Sequence, residues 1–385
     1  MHCMPCHTKT NIGAMPLSTY QQAKAYGKMI EYVTANKLMP PSKADEKFSR
    51  LKNHNTLKEA ELVAIKAWVS AGMPEGKIPG EADASPAKEP GIPKPDIVVA
   101  MQKSFAVRGD YKERSQVFVI PANLAKDEFI DAIEFVPGNT KIVKSCSISI
   151  DTGQTATRYD NNDLNYGYSS LAGVSFIPYQ YNWYQWMAGE GAVFYPKPYA
   201  KNISVGSKFL LHITYVAIKT VQKDSSYVKF RILKKDSTIQ AIQSLVLLDT
   251  THITNGPFTI NPGDKRKFYA VHQVKKPMEI HSVMPMGQAA LSSWEIYAVD
   301  SLTGQRINLL KIPHWDAHWK KKYILETPVQ LSAGSKIFGV AYYNNSDDNT
   351  NLIILPPKKI RYGEGQRDEL FAVQFDFAYT KTDDK

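Results

Sequence analysis

Two thiols and an imidazole open the chain at a spacing with a defined chemistry. In Cys3-Met4-Pro5-Cys6-His7, the two cysteines can add to the two vinyl groups of one haem, and the adjacent histidine then reaches the iron as proximal ligand. A chance match and a zinc half-site are the competing readings. A helical segment follows the motif, and Cys146 is the one other cysteine, which favours haem. The opposite axial ligand is sought among Met15, Met29, Met39 and Met73, since a thioether suits haem iron. Met29 falls near the buried face of the first expected helix, and Met73 follows the last one. Met39 precedes Pro40-Pro41, and proline forces the residue before it into extended backbone. That geometry holds the side chain out of the helix, so Met39 is the expected ligand and one covalent haem c the expected cofactor.

The elements that would position these groups separate by composition. Residues 1–79 read as helical: Ser18-x-x-Gln21 and Thr56-x-x-Glu59 match capping boxes, each followed by apolar residues at helical spacing, and Gly72 marks a stop. Residues 80–97 are rich in Pro, Ala, Gly and charge and read as a linker. From residue 98 onward, short β-rich runs such as Gln116–Ile120, Phe129–Phe135, Phe209–Val216 and Phe371–Phe377 alternate with turn clusters. The expected organisation is a small all-α domain over 1–79, the linker, and two all-β sandwiches over 98–250 and 251–385.

Charge and composition narrow the function classes. Residues 1–79 hold 11 Lys and Arg against 6 Asp and Glu, half of the net +10, a balance that can steer a small electron carrier toward an acidic partner. No Lys/Arg run or known motif points to nucleic acid. No stretch approaches the ~20 continuous apolar residues of a spanning helix. There is no GxSxG elbow, phosphate-binding loop or HExxH pair. Haem attachment to CxxCH occurs outside the cytoplasm, so the protein is expected in the periplasm or at the outer membrane. No signal sequence precedes the motif, so the chain is expected to be a mature fragment, with an anchor in a missing N-terminus left open.

The stretch CMPCHTKTNIGAMPLSTYQQAKAYGKMIEYVTANKLMPP resembles the "CxxCH … PxPLxTYxxA … MPP" pattern of a small c-type cytochrome family, and LKEAELVAIKAWVSAGMPEG resembles its closing helix. In that family the methionine before the double proline is the distal ligand, in agreement with Met39. The helix usually found before CxxCH is missing. Such cytochromes are often fused to copper type II, ascorbate-dependent monooxygenase domains similar to the peptidylglycine α-hydroxylating monooxygenase core. Residues 115–378 resemble those domains in DAIEFVPGNTKIVKS, ISIDTG, SKFLLHITY, KIFGVAYYNNSDDNT and IRYGEGQRDELF. The resemblance implies two jelly-roll-like sandwiches, each binding one copper in the active family.

Every copper ligand of that family is replaced here. The adjacent histidines of the first site fall on Lys144 and Ser145 and its strand histidine on Thr214; the second site's HxH pair falls on Met286 and Gln288 and its methionine on Leu370. An ammonium has no lone pair and leucine no donor, so copper is not expected. The resemblance thus implies a catalytically degenerate monooxygenase-like region. The expected function is one-electron transfer by an exported haem c protein, its β region binding a redox partner or an envelope complex. The alternatives are a non-enzymatic subunit of a cell-envelope assembly, and an active copper monooxygenase with relocated ligands, using His212 or His281 with Met286. His314 and His318 in HWDAHW and Cys146 are expected to serve packing, while the aromatic-rich residues 166–199 suit either a ligand or partner surface or core and loop packing.

Overall fold

The computed structural model describes residues 2–13, 15–41, 43–52, 55–76, 91–169, 182–234, 238–363, 365 and 367–380. The protein is mostly β, with 41% strand and 11% helix. We number the strands of its two sandwiches in chain order. The first contains β1 (Ile97–Ala100), β2 (Arg114–Pro121), β3 (Glu128–Val136), β4 (Val143–Asp151), β5 (Asn182–Met187), β6 (Tyr199–Ile203), β7 (Lys208–Tyr215) and β8 (Tyr227–Ile232). One sheet runs β1-β8-β3-β6, extended by short strands at Val193–Phe194 and Gln240–Ala241; the other runs β2-β7-β4-β5, extended by Tyr168–Ser169. Phe118, Ile148 and Leu211 from one sheet meet Ile133 and Phe230 from the other in a single core.

The second sandwich contains β9 (Gln243–Asp249), β10 (Lys265–Gln273), β11 (Met278–Met286), β12 (Leu291–Val299), β13 (Arg306–Ile312), β14 (Tyr323–Leu331), β15 (Lys336–Asn344) and β16 (Ala372–Tyr379). Its sheets run β9-β16-β11-β14 and β10-β15-β12-β13, the same double Greek-key winding as the first. Strands facing solvent on one side alternate: in β12, Trp294, Ile296 and Ala298 point inward while Glu295 and Tyr297 do not. β9 already belongs to this sandwich, so the change-over falls before residue 243 rather than after 250.

The expected fold needs correction in its first part. Residues 2–76 do not form a small all-α domain. Their helices, α1 (Tyr20–Ala25), α2 (Gly27–Ala35) and α3 (Glu59–Ser70), are 6, 9 and 12 residues long, and of all their residues only Gly27 and Thr34 are buried. With no core of its own, the segment leans on the β region: Ala44 enters the second core, Leu51 bridges Leu325, and Asp45 N–H donates to Lys311 O at 2.8 Å. The caps also shift. Thr19 and Gln22, not Ser18 and Gln21, form the first box. α3 begins at Glu59, with Lys58 N–H donating to Glu61 at 2.7 Å. Gly72 ends it at φ +82°. Residues 80–90, most of the expected linker, lie outside the described residues, and its end is structured, Ile92 being buried with its N–H on Glu134 at 2.7 Å.

β11 is buried at every position because one face meets its own core and the other meets the first sandwich. At that junction Asp376 of β16 lies 3.3 Å from Lys201 of β6 and 3.0 Å from Lys322. Lys201 is fully buried and also donates to Trp183 O at 2.7 Å, while Ser244 Oγ donates to Asp376 at 2.6 Å. Burial alone would raise the Asp376 carboxyl, but the two ammonium groups and these hydrogen bonds hold it down at about 2. A carboxyl depressed in the folded state contributes stability above its unfolded pKa and loses it as pH falls. Roughly 2–3 kcal/mol of stability should therefore disappear between about pH 4 and pH 2, readable as a falling urea midpoint. Asp376→Asn should cost about 3–5 kcal/mol at neutral pH by leaving buried ammonium groups uncompensated, and should flatten that acid dependence.

Candidate functional site

The Cys3–His7 stretch is one tight turn. Cys6 N–H and His7 N–H both donate to Cys3 O, at 3.2 and 2.9 Å, which sets the two free thiols one turn apart on the same side. The following loop wraps back over the turn: Asn11 Nδ2 donates to Pro5 O, Gly13 N–H to Cys6 O and Leu17 N–H to His7 O, each at 2.8 Å. His7 Nδ1 donates to Met15 O at 2.8 Å. The proton is thereby committed to Nδ1, and Nε2 keeps its lone pair. A Cβ on Gly13 would stand 2.7 Å from both Cys6 O and His7 Nδ1, so only glycine lets the loop close on the ring.

The turn is seated on the first sandwich. Cys6 Sγ donates to Ala188 O at 3.3 Å, Ala188 N–H donates to Lys144 O at 3.0 Å, and Thr140 Oγ1 donates to Thr10 O. Gly189, at φ +94°, leaves room for it, since a Cβ there would lie 2.9 Å from Cys6 Sγ. Glu190 next to it pairs with Lys321 of the second sandwich at 2.8 Å. Burial raises both cysteine pKa values; for Cys6 the proximity of Cys3 and Glu190 adds to it. Both shifts favour the thiol over the thiolate, which is the reactive form. In the same N-terminal segment, Ile12, Leu17, Tyr26, Ile30, Val33 and Leu62 are half-buried, and none is fully covered.

The methionine candidates are dispersed. Met15 supplies the carbonyl that orients His7. Met29, expected near a buried helix face, is 51% exposed, because the short helices leave it nothing to pack on. Met39 follows α2, is 41% exposed, and donates its N–H to Val33 O at 3.1 Å. Met73 packs its sulfur against Gly27, joining the end of α3 to the start of α2.

The positions matched to copper ligands do come together, without a metal's donor set. Ser145 of β4 and Thr214 of β7 are register partners, Thr214 Oγ1 is 3.0 Å from Ser115 Oγ, and Lys144 Nζ pairs with Glu113 at 2.5 Å. Met286 and Leu370 share a small apolar cluster with Ala372. Gln288 N–H donates to Glu369, whose carboxylate also accepts from Ala290, Leu291 and Leu370 at 2.9, 3.2 and 2.8 Å. Burial lifts Glu369 to about 7 in spite of these donors. Among the described residues, no three His, Cys, Asp or Glu side chains gather as a metal-holding group.

The relocated-ligand histidines are separate. Burial, with Lys320 nearby, lowers His212 to about 4, and Lys320 also acts on Glu369. His281 turns to Glu279 at 3.5 Å and to the Tyr199 ring at 4.4 Å. His314 is exposed beside the buried Trp315. Cys146 is fully buried in the first core. Of the aromatic-rich stretch, residues 170–181 lie outside the described residues, while Trp183, Tyr184 and Trp186 are core. Gly13 and Gly189 escaped the sequence reading; a glycine six residues after the histidine was the available signal for the first.

Gly189→Ala introduces both a clash with Cys6 and a side chain at positive φ, at a cost of about 1–2 kcal/mol. In protein lacking a covalent haem it should free Cys6, so that an aromatic disulfide reagent labels it several-fold faster while Cys146 stays unlabelled. Equal labelling rates would show that the turn is not seated on Ala188–Gly189.

No known family's sequence pattern matches the chain, and no curated protein does. Solved structures with a similar outline include PNGF-II in a C2 crystal form, at 10% identity and TM-score 0.30, covering 75% of this chain and 66% of that one. An allantoicase follows at 9% identity and TM-score 0.20, covering 71% and 80%. A structure of the infectious bursal disease virus Gx strain is similar at 9% and 0.20, covering 82% and 77%. At these scores none of the likenesses defines the chemistry of this chain.

Proposed function

We propose that the protein is an exported haem c protein that passes single electrons, its two sandwiches serving as a binding or docking body. The observation that carries this reading is the donor set: two thiols one turn apart beside an imidazole whose Nδ1–H is held by Met15 O at 2.8 Å. That hydrogen bond leaves Nε2 as the nitrogen for iron. Cys3 and Cys6 would hold the group by thioethers, His7 from the proximal side, and Met39 is the distal ligand we assign. Bound haem supplies one-electron redox chemistry.

The surroundings fit the same group. Residues 2–76 bury no large apolar side chain, which is the condition of a small segment that depends on a cofactor for its core. Ile12, Leu17, Ile30 and Val33 are half-buried and would supply apolar surface that a bound macrocycle could cover. The net positive charge of residues 1–79 would favour an acidic redox partner. Covalent attachment to CxxCH takes place outside the cytoplasm, and export follows from it.

Protein produced in a host that matures c-type cytochromes should carry one haem that acid-acetone does not extract. Replacing Cys3 and Cys6 together should abolish covalent haem, and His7→Ala should abolish the low-spin spectrum. Met39→Ala should keep the haem and lose the thioether-to-iron band; an unchanged spectrum removes Met39 from the site. After copper incubation and desalting, metal analysis should find far less than one copper per chain. Haem-free protein from that host overturns the reading.

A further inference from the structure

Away from the CxxCH turn, a tight turn at Thr250–His252 follows β9 and carries His252 over to β10. Asp249 Oδ1 accepts the His252 Nδ1–H at 2.8 Å and is itself fixed by Thr251 N–H at 2.8 Å. With its proton committed to Asp249, His252 presents the Nε2 lone pair on its other side. That nitrogen faces His272 Nδ1 at 3.4 Å, the two rings lying 5.3 Å apart and inclined at 53°. The spacing is long for a hydrogen bond, which prefers ~2.7–3.2 Å. It matches two nitrogens at ~2.0–2.1 Å from one tetrahedral ion, which stand about 3.3–3.4 Å apart.

We propose that His252 and His272 form a site for a divalent transition-metal ion of the zinc class. Asp249 does not ligate; it orients His252 from behind, as carboxylates do for metal-bound histidines. The side chains of His252 and Asp249 are 28% and 31% exposed, so water reaches the ion and fills the remaining positions. No third ligating side chain converges among the described residues, so the site binds reversibly. β10 and the turn are held together by the second core, with Ile253 bridged to Ala270, so the two nitrogens meet without rearrangement.

The test is zinc titration of the full chain by calorimetry, with Cys3 and Cys6 haem-loaded or alkylated so that thiols do not compete. One zinc is expected in the native protein, bound at least tenfold more weakly in His252→Gln and in His272→Gln. Asp249→Asn should weaken it about tenfold, and His2→Gln should leave it unchanged. Zinc should also raise the Tm of the native protein but not of either glutamine variant. Should a variant fail to fold, zinc-induced shifts of the His252 and His272 ring signals in the native protein decide the matter. Unchanged affinity across the variants, or no shift of either ring, overturns the proposal. It stands or falls independently of haem loading.

Discussion

The two sandwiches are joined through a buried carboxylate shared by two ammonium groups. Asp376, Lys201 and Lys322 are 3%, 0% and 8% exposed, so each has left water, at a cost of several kcal/mol per ion. That cost is offset only because every partner is in place: Ser244, the Trp183 carbonyl and the Asn182 carbonyl complete the cluster. Lys201 comes from the first sandwich and the other two ions from the second. A cluster that is favourable only when fully assembled allows few relative placements of the bodies that contribute to it. The double burial of β11 and the contact of Asn182 with Met284 at 3.3 Å follow from that placement.

The N-terminal segment depends in turn on this arrangement. Three short helices that bury almost nothing cannot order themselves. They are pinned instead by Ala44 in the second core, by Leu51 on the edge of β14, and by the CxxCH turn on Ala188 and Gly189. The turn thus sits at the end of β5, linked through Ala188 to Lys144 and beside the Glu190–Lys321 pair that crosses to the second sandwich. In the proposed haem protein, the redox group would lie at the junction of both β bodies rather than in a tethered domain. A partner recognised by the sandwiches would then be near the electron it receives.

Positions far apart in the sequence are brought together by the winding of each sandwich, whatever chemistry they carry. Greek-key winding brings β4 beside β7, and β11 beside the segment leading into β16, whatever the side chains. Ser145 therefore meets Thr214, and Met286 meets Leu370. Their contacts are those of ordinary structure: hydroxyls bonded across a sheet, an ammonium paired with Glu113, an apolar cluster, and a carboxylate tied to four backbone amides.

What the sequence determined by itself is local. The CxxCH spacing and the strand runs with their period of two are properties of neighbouring residues, and they are legible because side-chain chemistry and backbone periodicity act over a few positions. Helical patterning over 1–79 was legible too, yet it misled about the domain. A pattern says which residues would face a core, whereas only tertiary packing says whether a core exists. The ion cluster joins residues 201, 322 and 376, and the histidine pair joins 252 and 272. Each lone Lys, Asp or His reads as an ordinary surface residue until the winding brings its partners within hydrogen-bonding range, since electrostatic and coordination energies depend on distance in space and not along the chain.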